Sequence, residues 1–135
     1  MTVQSRAPES TPIDPAVEAA LVASREARAE ALLEFARIPS ISTQPEHAPD
    51  MVAAAAWVAA KLRGVGAADV EVVTTNLHPI VYGRIHEAPG SPTVLVYCHF
   101  DVQPVDPVEL WETAPFEPFL RDGRFVGRGV ADDKG

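Results

Sequence analysis

Cysteine occurs once, at Cys98, so no internal disulfide can form, and the chain reads as one suited to a reducing, cytoplasmic compartment. Basic residues are outnumbered, 11 against 19 acidic, leaving a formal net charge of -8. A negative field of that size repels phosphate backbones and excludes nucleic acid as an expected partner. Long apolar runs are missing too. The longest, Met51 to Ala60, is mostly alanine and too short to span a bilayer, so no membrane partner is expected. Met1 to Ser10 has no apolar stretch of the kind a secretory signal needs. What remains is globular: 47% of the 135 residues are hydrophobic, enough for one domain at most.

Residues 1–15 carry Pro8, Pro12 and Pro15 among serine, threonine and glutamate, and are expected to form a loose tail before a domain over 16–135. Asp14 followed by Pro15 is a helix start. Val17, Leu21, Arg28, Leu32 and Phe35 then recur at near-helical spacing, predicting one helix that stops before Pro39. A second helix is predicted from about Pro49 to Arg63, its alanine face suited to close packing. Val70–Thr75 and Ile80–Ile85 read as edge strands. Thr93–Cys98 (TVLVYC) is apolar at nearly every position, the pattern of a central strand covered on both faces; a buried helix segment has the same look, but Pro89, Gly90 and Pro92 before it argue for a strand. Asp122-Gly123 predicts a tight hairpin turn. The fold class expected is α/β.

Ligands of open α/β sheets gather beyond the carboxyl ends of interior strands, and His99-Phe100-Asp101-Val102-Gln103-Pro104 follows TVLVYC directly. His99 and Asp101 are two apart, so in extended chain they point the same way, and a carboxylate so placed fixes the tautomer of a metal-bound imidazole. The same residues also suit a strand cap and a turn. The second group is Gly127-Arg128-Gly129 through Asp132-Asp133-Lys134-Gly135. Adjacent carboxylates repel, so one needs a cation, a cap position or a proton; a divalent metal satisfies this, and so does a helix cap with Lys134 as a partly solvated counter-ion. Gly127-x-Gly129 is also the opening of a phosphate loop, but Asp132 stands where the third glycine belongs and would repel a pyrophosphate.

Taken together, His99 to Pro104, Trp111, Pro115-Phe116, Asp122-Gly123, and Gly127 through Gly135 resemble, in order and spacing, the metal-binding half-signature of the carnosinase, aminoacylase and carboxypeptidase G superfamily. Arg37-Ile38-Pro39-Ser40-Ile41-Ser42 resembles the family's segment after its first helix, and Gln103 leans toward the dipeptidase branch. The likeness covers roughly residues 30–135. It implies the N-terminal part of a three-layer αβα zinc-peptidase domain with a mixed, mostly parallel sheet. It implies His99 as terminal ligand of one zinc, Asp132 as a bridge between two, and Asp101 as the catalytic-site residue that orients His99. Mn2+ and Co2+ are acceptable in place of Zn2+. The activity implied is hydrolysis of the amide bond of a dipeptide or N-acyl amino acid, with a glutamate as general base, and a homodimeric parent is compatible with it.

Two residues depart from the pattern. Cys98 stands where the family has glycine, and is expected to be a small buried hydrophobe turned away from His99; Val126 replaces an aromatic. The family's glutamate pair, third acidic ligand and distant histidine are expected beyond Gly135, while His47, His78 and His86 are expected at the surface without ligand partners. The chain alone is therefore expected to be inactive, the competing function being a non-catalytic binding or assembly module. The resemblance also implies a cis peptide between Asp132 and Asp133. Two zinc-bound donors lie roughly 3.3–3.5 Å apart, so without metal His99 and Asp132 are expected within about 6 Å, with Asp101 on the other ring nitrogen.

Overall fold

A computed structural model describes residues 12–85 and 88–135. The greater part of the expected tail, residues 1–11, and His86 lie outside the described residues. Contacts divide the chain into Met1–Glu30 and Ala31–Gly135.

In the first unit, helix α1 (Pro15–Ala23) begins as its sequence dictates: Asp14 accepts the Ala16 N–H at 2.7 Å and Pro15 occupies the first turn. The single helix expected here is in fact two. Ser24 breaks it, and α2 follows at Arg25–Ala36. The Ser24 hydroxyl donates to the Ala20 carbonyl at 2.7 Å and Arg28 Nη2 donates to the Leu21 carbonyl at 2.7 Å, so side chains satisfy the last carbonyls of α1. Val17 and Leu21 are exposed, so the apolar spacing that suggested one helix is not a buried stripe in this unit.

In the second unit the core forms where the end of α2 meets α3 (Ala48–Gly64). Met51, Ala55 and Ala59, four apart, present one buried face with Ala54 beside it, and the Phe35 ring stacks on Trp57 at 4.1 Å. Strands β1 (Glu71–Val73) and β2 (Ile80–Tyr82) pair antiparallel, Val72 opposite Val81, and lie against α3. Strands β3 (Phe119–Arg121) and β4 (Arg124–Val126) form the expected hairpin, with Asp122 and Gly123 at φ of 52° and 76°, the left-handed pair that a tight primed turn requires.

The expected central strand does not form. Residues 93–98 are without regular structure, and Val94, Leu95 and Tyr97 are more than 80% exposed. A strand exists only through ladder partners, and none of the described residues pairs with this segment. Cys98 is exposed for the same reason, not buried as expected. The sheets among the described residues are both two-stranded and antiparallel. None of the described helices is long and apolar enough to cross a membrane.

Candidate metal centre

Two loops make the site. The first, 99–104, is strapped to the segment after α2. Val102 N–H donates to the Ser40 carbonyl at 2.9 Å, and the wholly buried Ser40 hydroxyl returns a bond to the Phe100 carbonyl at 2.6 Å. Two residues further, Ser42 Oγ donates to Asp101 Oδ2 at 2.5 Å. Ser42 is itself pinned, because His78 Nε2–H donates to its carbonyl at 2.8 Å. Backbone and side chain are thus fixed on both sides of Asp101.

The second loop, 127–134, is seated by close approach. Gly127 stands where a Cβ would come within 2.9 Å of Pro118, and Gly129, at φ +83°, where a Cβ would lie 2.6 Å from Val102 Cγ1. These glycines pack against side chains, so the Gly127-x-Gly129 pair forms no open phosphate cradle. Between them Arg128 donates its N–H to the Pro115 carbonyl at 2.8 Å and its Nη2 to the Pro104 carbonyl at 2.9 Å. Its guanidinium lies over Trp111, whose Nε1 donates to Val105 at 2.8 Å. The scattered motif residues Trp111, Pro115 and Arg128 are therefore one fastening that draws the two loops together.

The fastening brings His99 and Asp132, 33 residues apart, into direct contact: Nε2 to Oδ1 is 3.0 Å. The other ring nitrogen, Nδ1, faces Asp101 twice, at 3.1 Å from its carbonyl and 3.3 Å from its carboxylate. Asp133 accepts the His99 backbone N–H at 3.3 Å. The Asp132–Asp133 peptide is cis. Partial burial disfavours the His99 imidazolium, but the Asp101 carbonyl and carboxylate and the Asp132 carboxylate outweigh it and hold the pKa above the ordinary histidine value.

Other expectations need correction. Lys134 is not a solvated counter-ion: it is buried and donates from Nζ to the Phe35 and Ile38 carbonyls at 3.1 and 2.6 Å. Burial pushes its pKa down to about 8, against the opposing pull of Asp50. His47 and His78 are half-buried with partners of their own, Asp50 at 2.7 Å for the first and the Ser42 carbonyl for the second. Ser42, Asp133 and Lys134 carry the geometry, yet only their place in the motif string marked them in the sequence.

Known proteins resemble the chain in both sequence and fold. Residues 95–135 match the profile of Peptidase family M20/M25/M40. Over 115 residues, 85% of the chain, it is 36% identical to the cysteinylglycine-S-conjugate dipeptidase of Corynebacterium striatum, covering 25% of that protein. Human carnosine dipeptidase 1 superposes with a TM-score of 0.79 at 29% identity, over 87% of this chain and 27% of that one. The dipeptidase Dug1p of Saccharomyces cerevisiae gives 0.77 at 28%, over 84% of this chain and 26% of its own. The fold is α/β, of the M20 peptidase kind. In sequence and fold the chain is similar to part of the M20 peptidases, and it spans about a quarter of the length of the relatives it matches.

Proposed function

We propose that His99 and Asp132 supply two ligands of a divalent-metal centre, generally zinc with manganese and cobalt acceptable, that serves hydrolysis of dipeptide or N-acyl amino acid amide bonds. Residues 16–135 are then the N-terminal portion of the catalytic domain, whose mostly parallel sheet takes residues 93–98 as an interior strand in a reducing, cytoplasmic compartment. The observation that carries the reading is the 3.0 Å approach of His99 Nε2 to Asp132 Oδ1 across 33 residues of sequence, for which a strand cap and a helix cap give no reason.

The donor set fits a borderline-soft cation: an imidazole nitrogen and a carboxylate oxygen are both ordinary zinc ligands, and both are partly open to solvent. A bound zinc or its substitute would supply Lewis acidity to polarise the amide carbonyl and acidify a water. The chain's own residues prepare for it. Nδ1–H is committed to Asp101, so a bound metal would replace the Nε2 proton that otherwise faces Asp132, and the Asp101 carboxylate would raise the basicity of that nitrogen. Ser42 holds that carboxylate, and Asp133, by gripping the His99 backbone, leaves Asp132 free to face the ring. Asp132 is the more exposed partner and has room for the bridging role that the resemblance implies.

Among the described residues no three His, Cys, Asp or Glu side chains are placed to hold a metal ion together, since Asp101 meets the ring nitrogen of His99 that faces away from Asp132. A catalytic zinc takes about three protein ligands, so the 135-residue chain binds zinc at about micromolar affinity at best and turns over no dipeptide. Calorimetry with zinc tests this. Weak one-to-one uptake, abolished in His99→Ala and in Asp132→Ala, supports the reading; uptake that both variants leave unchanged refutes it. The peptidase relatives lend no support to a non-catalytic assembly module.

A further inference from the structure

Lys134 lies two residues beyond Asp132, yet its ammonium is turned inward to the far side of the loop. Its Nζ donates to the carbonyls of Phe35, in the last turn of α2, and Ile38, two residues past its end, and sits 4.7 Å from the centre of the Phe35 ring. The Phe35 carbonyl belongs to the negative end of the helix, and each carbonyl already takes one backbone N–H, from Ile38 at 3.2 Å and from Ser40 at 2.9 Å, so Nζ occupies the second acceptor site of each. The backbone of Lys134 also closes the loop, its N–H donating to the Gly129 carbonyl at 3.0 Å. Its side-chain methylenes fill the space above Gly129, where a Cβ would meet Cδ at 3.4 Å and Val102 at 2.6 Å. One residue thus fastens both ends of the 129–134 turn, and anchors that turn to a helix end 96 to 99 residues earlier.

We propose that Lys134 is a positioning residue for the His99–Asp132 pair, its ammonium locked to the Phe35 and Ile38 carbonyls so that the turn holds the Asp132 carboxylate against His99. A burial role alone would be met by any apolar side chain of that length, whereas the two carbonyls converging on Nζ give it directed bonds that an apolar chain cannot make. The clamp rests on the metal-centre reading only for its consequence; its geometry is independent of it. Removing the ammonium leaves each carbonyl only its backbone donor, the Ile38 N–H for Phe35 and the Ser40 N–H for Ile38, and releases the 129–134 turn from its tie to the helix end. Asp132 then loses its aim.

The test uses the 135-residue chain with Lys134→Met, which keeps length and apolar volume, and Lys134→Arg, which keeps donors and charge. Zinc affinity is read by competition with a chromophoric chelator at a temperature where each variant is folded by circular dichroism. The His99 ring nitrogens are followed by 15N NMR without metal. In Lys134→Met, zinc affinity falls at least about tenfold, which is about 1.4 kcal/mol, and the His99 Nε2 resonance moves toward that of a solvent-exposed imidazole; Lys134→Arg recovers most of both. A folded Lys134→Met with wild-type affinity and unchanged ring shifts overturns the proposal, because a merely structural lysine lowers melting temperature alone. If Lys134→Met does not fold, the wild-type ammonium decides. A Lys134 Nζ resonance shielded from solvent exchange and coupled to the Phe35 and Ile38 carbonyl carbons supports the clamp, and a freely exchanging one overturns it. Should the wild-type chain take up no zinc while Lys134→Met still shifts the His99 resonance, the metal reading fails and the clamp stands.

Discussion

Replacing Gly129 with alanine measures how closely the loop bearing Asp132 is seated on the loop bearing His99. The new Cβ would lie 2.6 Å from Val102 Cγ1, whereas carbon atoms rest at about 3.5–4.0 Å, so about 1 Å of overlap must be relieved. Val102 has little room to yield: it is 4% exposed and its N–H is held by Ser40. The backbone adds its own cost, since φ is +83° and a left-handed L-residue is disfavoured by about 1–2 kcal/mol. Overpacking a buried contact costs about 1–3 kcal/mol, so the whole effect is about 2–5 kcal/mol. Gly123→Ala is the matched control, because φ there is +76° with nothing within 4 Å of the added carbon. Urea unfolding of the two variants therefore separates backbone from contact. The difference between them should be about 1–3 kcal/mol, a shift of about 1 M in midpoint at an ordinary m-value. Val102 adjoins Asp101, so zinc affinity should fall in Gly129→Ala and not in Gly123→Ala. Equal unfolding midpoints for the two would refute the close seating of the loops.

Ser42→Ala removes the donor that holds Asp101; a bond to a charged carboxylate is worth about 1.5–3 kcal/mol when buried and less at this half-buried site, and zinc affinity should drop about tenfold by calorimetry with the fold retained. Unchanged affinity would remove Ser42 from the support of His99. His78→Ala, one bond further out, should weaken zinc binding less than Ser42→Ala, and the reverse order would break the chain of support from His78 through Ser42 to Asp101. Lys134 also makes a pH prediction. Between about 8 and the ordinary 10.5 the unfolded chain keeps the lysine proton and the folded chain has released it, so folded stability rises with pH across that window. The neutral amine retains two N–H donors for the helix end. Lys134→Met should flatten the slope of unfolding free energy against pH from 8 to 10.5, and an identical slope would contradict the burial of that amine.

Features set by neighbours in sequence were legible from it. Asp14 before Pro15 and Asp122 before Gly123 act within a few residues, and each does in the structure what its chemistry dictates. The string from His99 to Gly135 was legible as a pattern because its parts fasten to one another, Arg128 to Pro104 and Pro115, and Trp111 to Val105. The break at Ser24 was not, since neither glycine nor proline marks it and the bonds to Ala20 and Leu21 come from side chains equally at home in a helix. The burial of Lys134 depends on carbonyls almost a hundred residues away, which no local pattern reports. Residues 93–98 failed for a different reason. Their composition states what environment they suit, and environment is supplied by other elements.

That last segment has a consequence for handling the chain in solution. TVLVYC is six residues of high strand propensity with no charge and no proline, and its main-chain donors and acceptors are open along both edges. Such a stretch is a template for edge-to-edge association of identical chains, and here the usual deterrents stand outside it, with Pro92 before and Asp101 after. The opposing force is long-range repulsion from the net charge of -8, which salt screens within about 10 Å at 0.1 M. Colloidal stability of the 135-residue chain is thus expected to depend on ionic strength, and light scattering across a salt series should show association rising as salt is added.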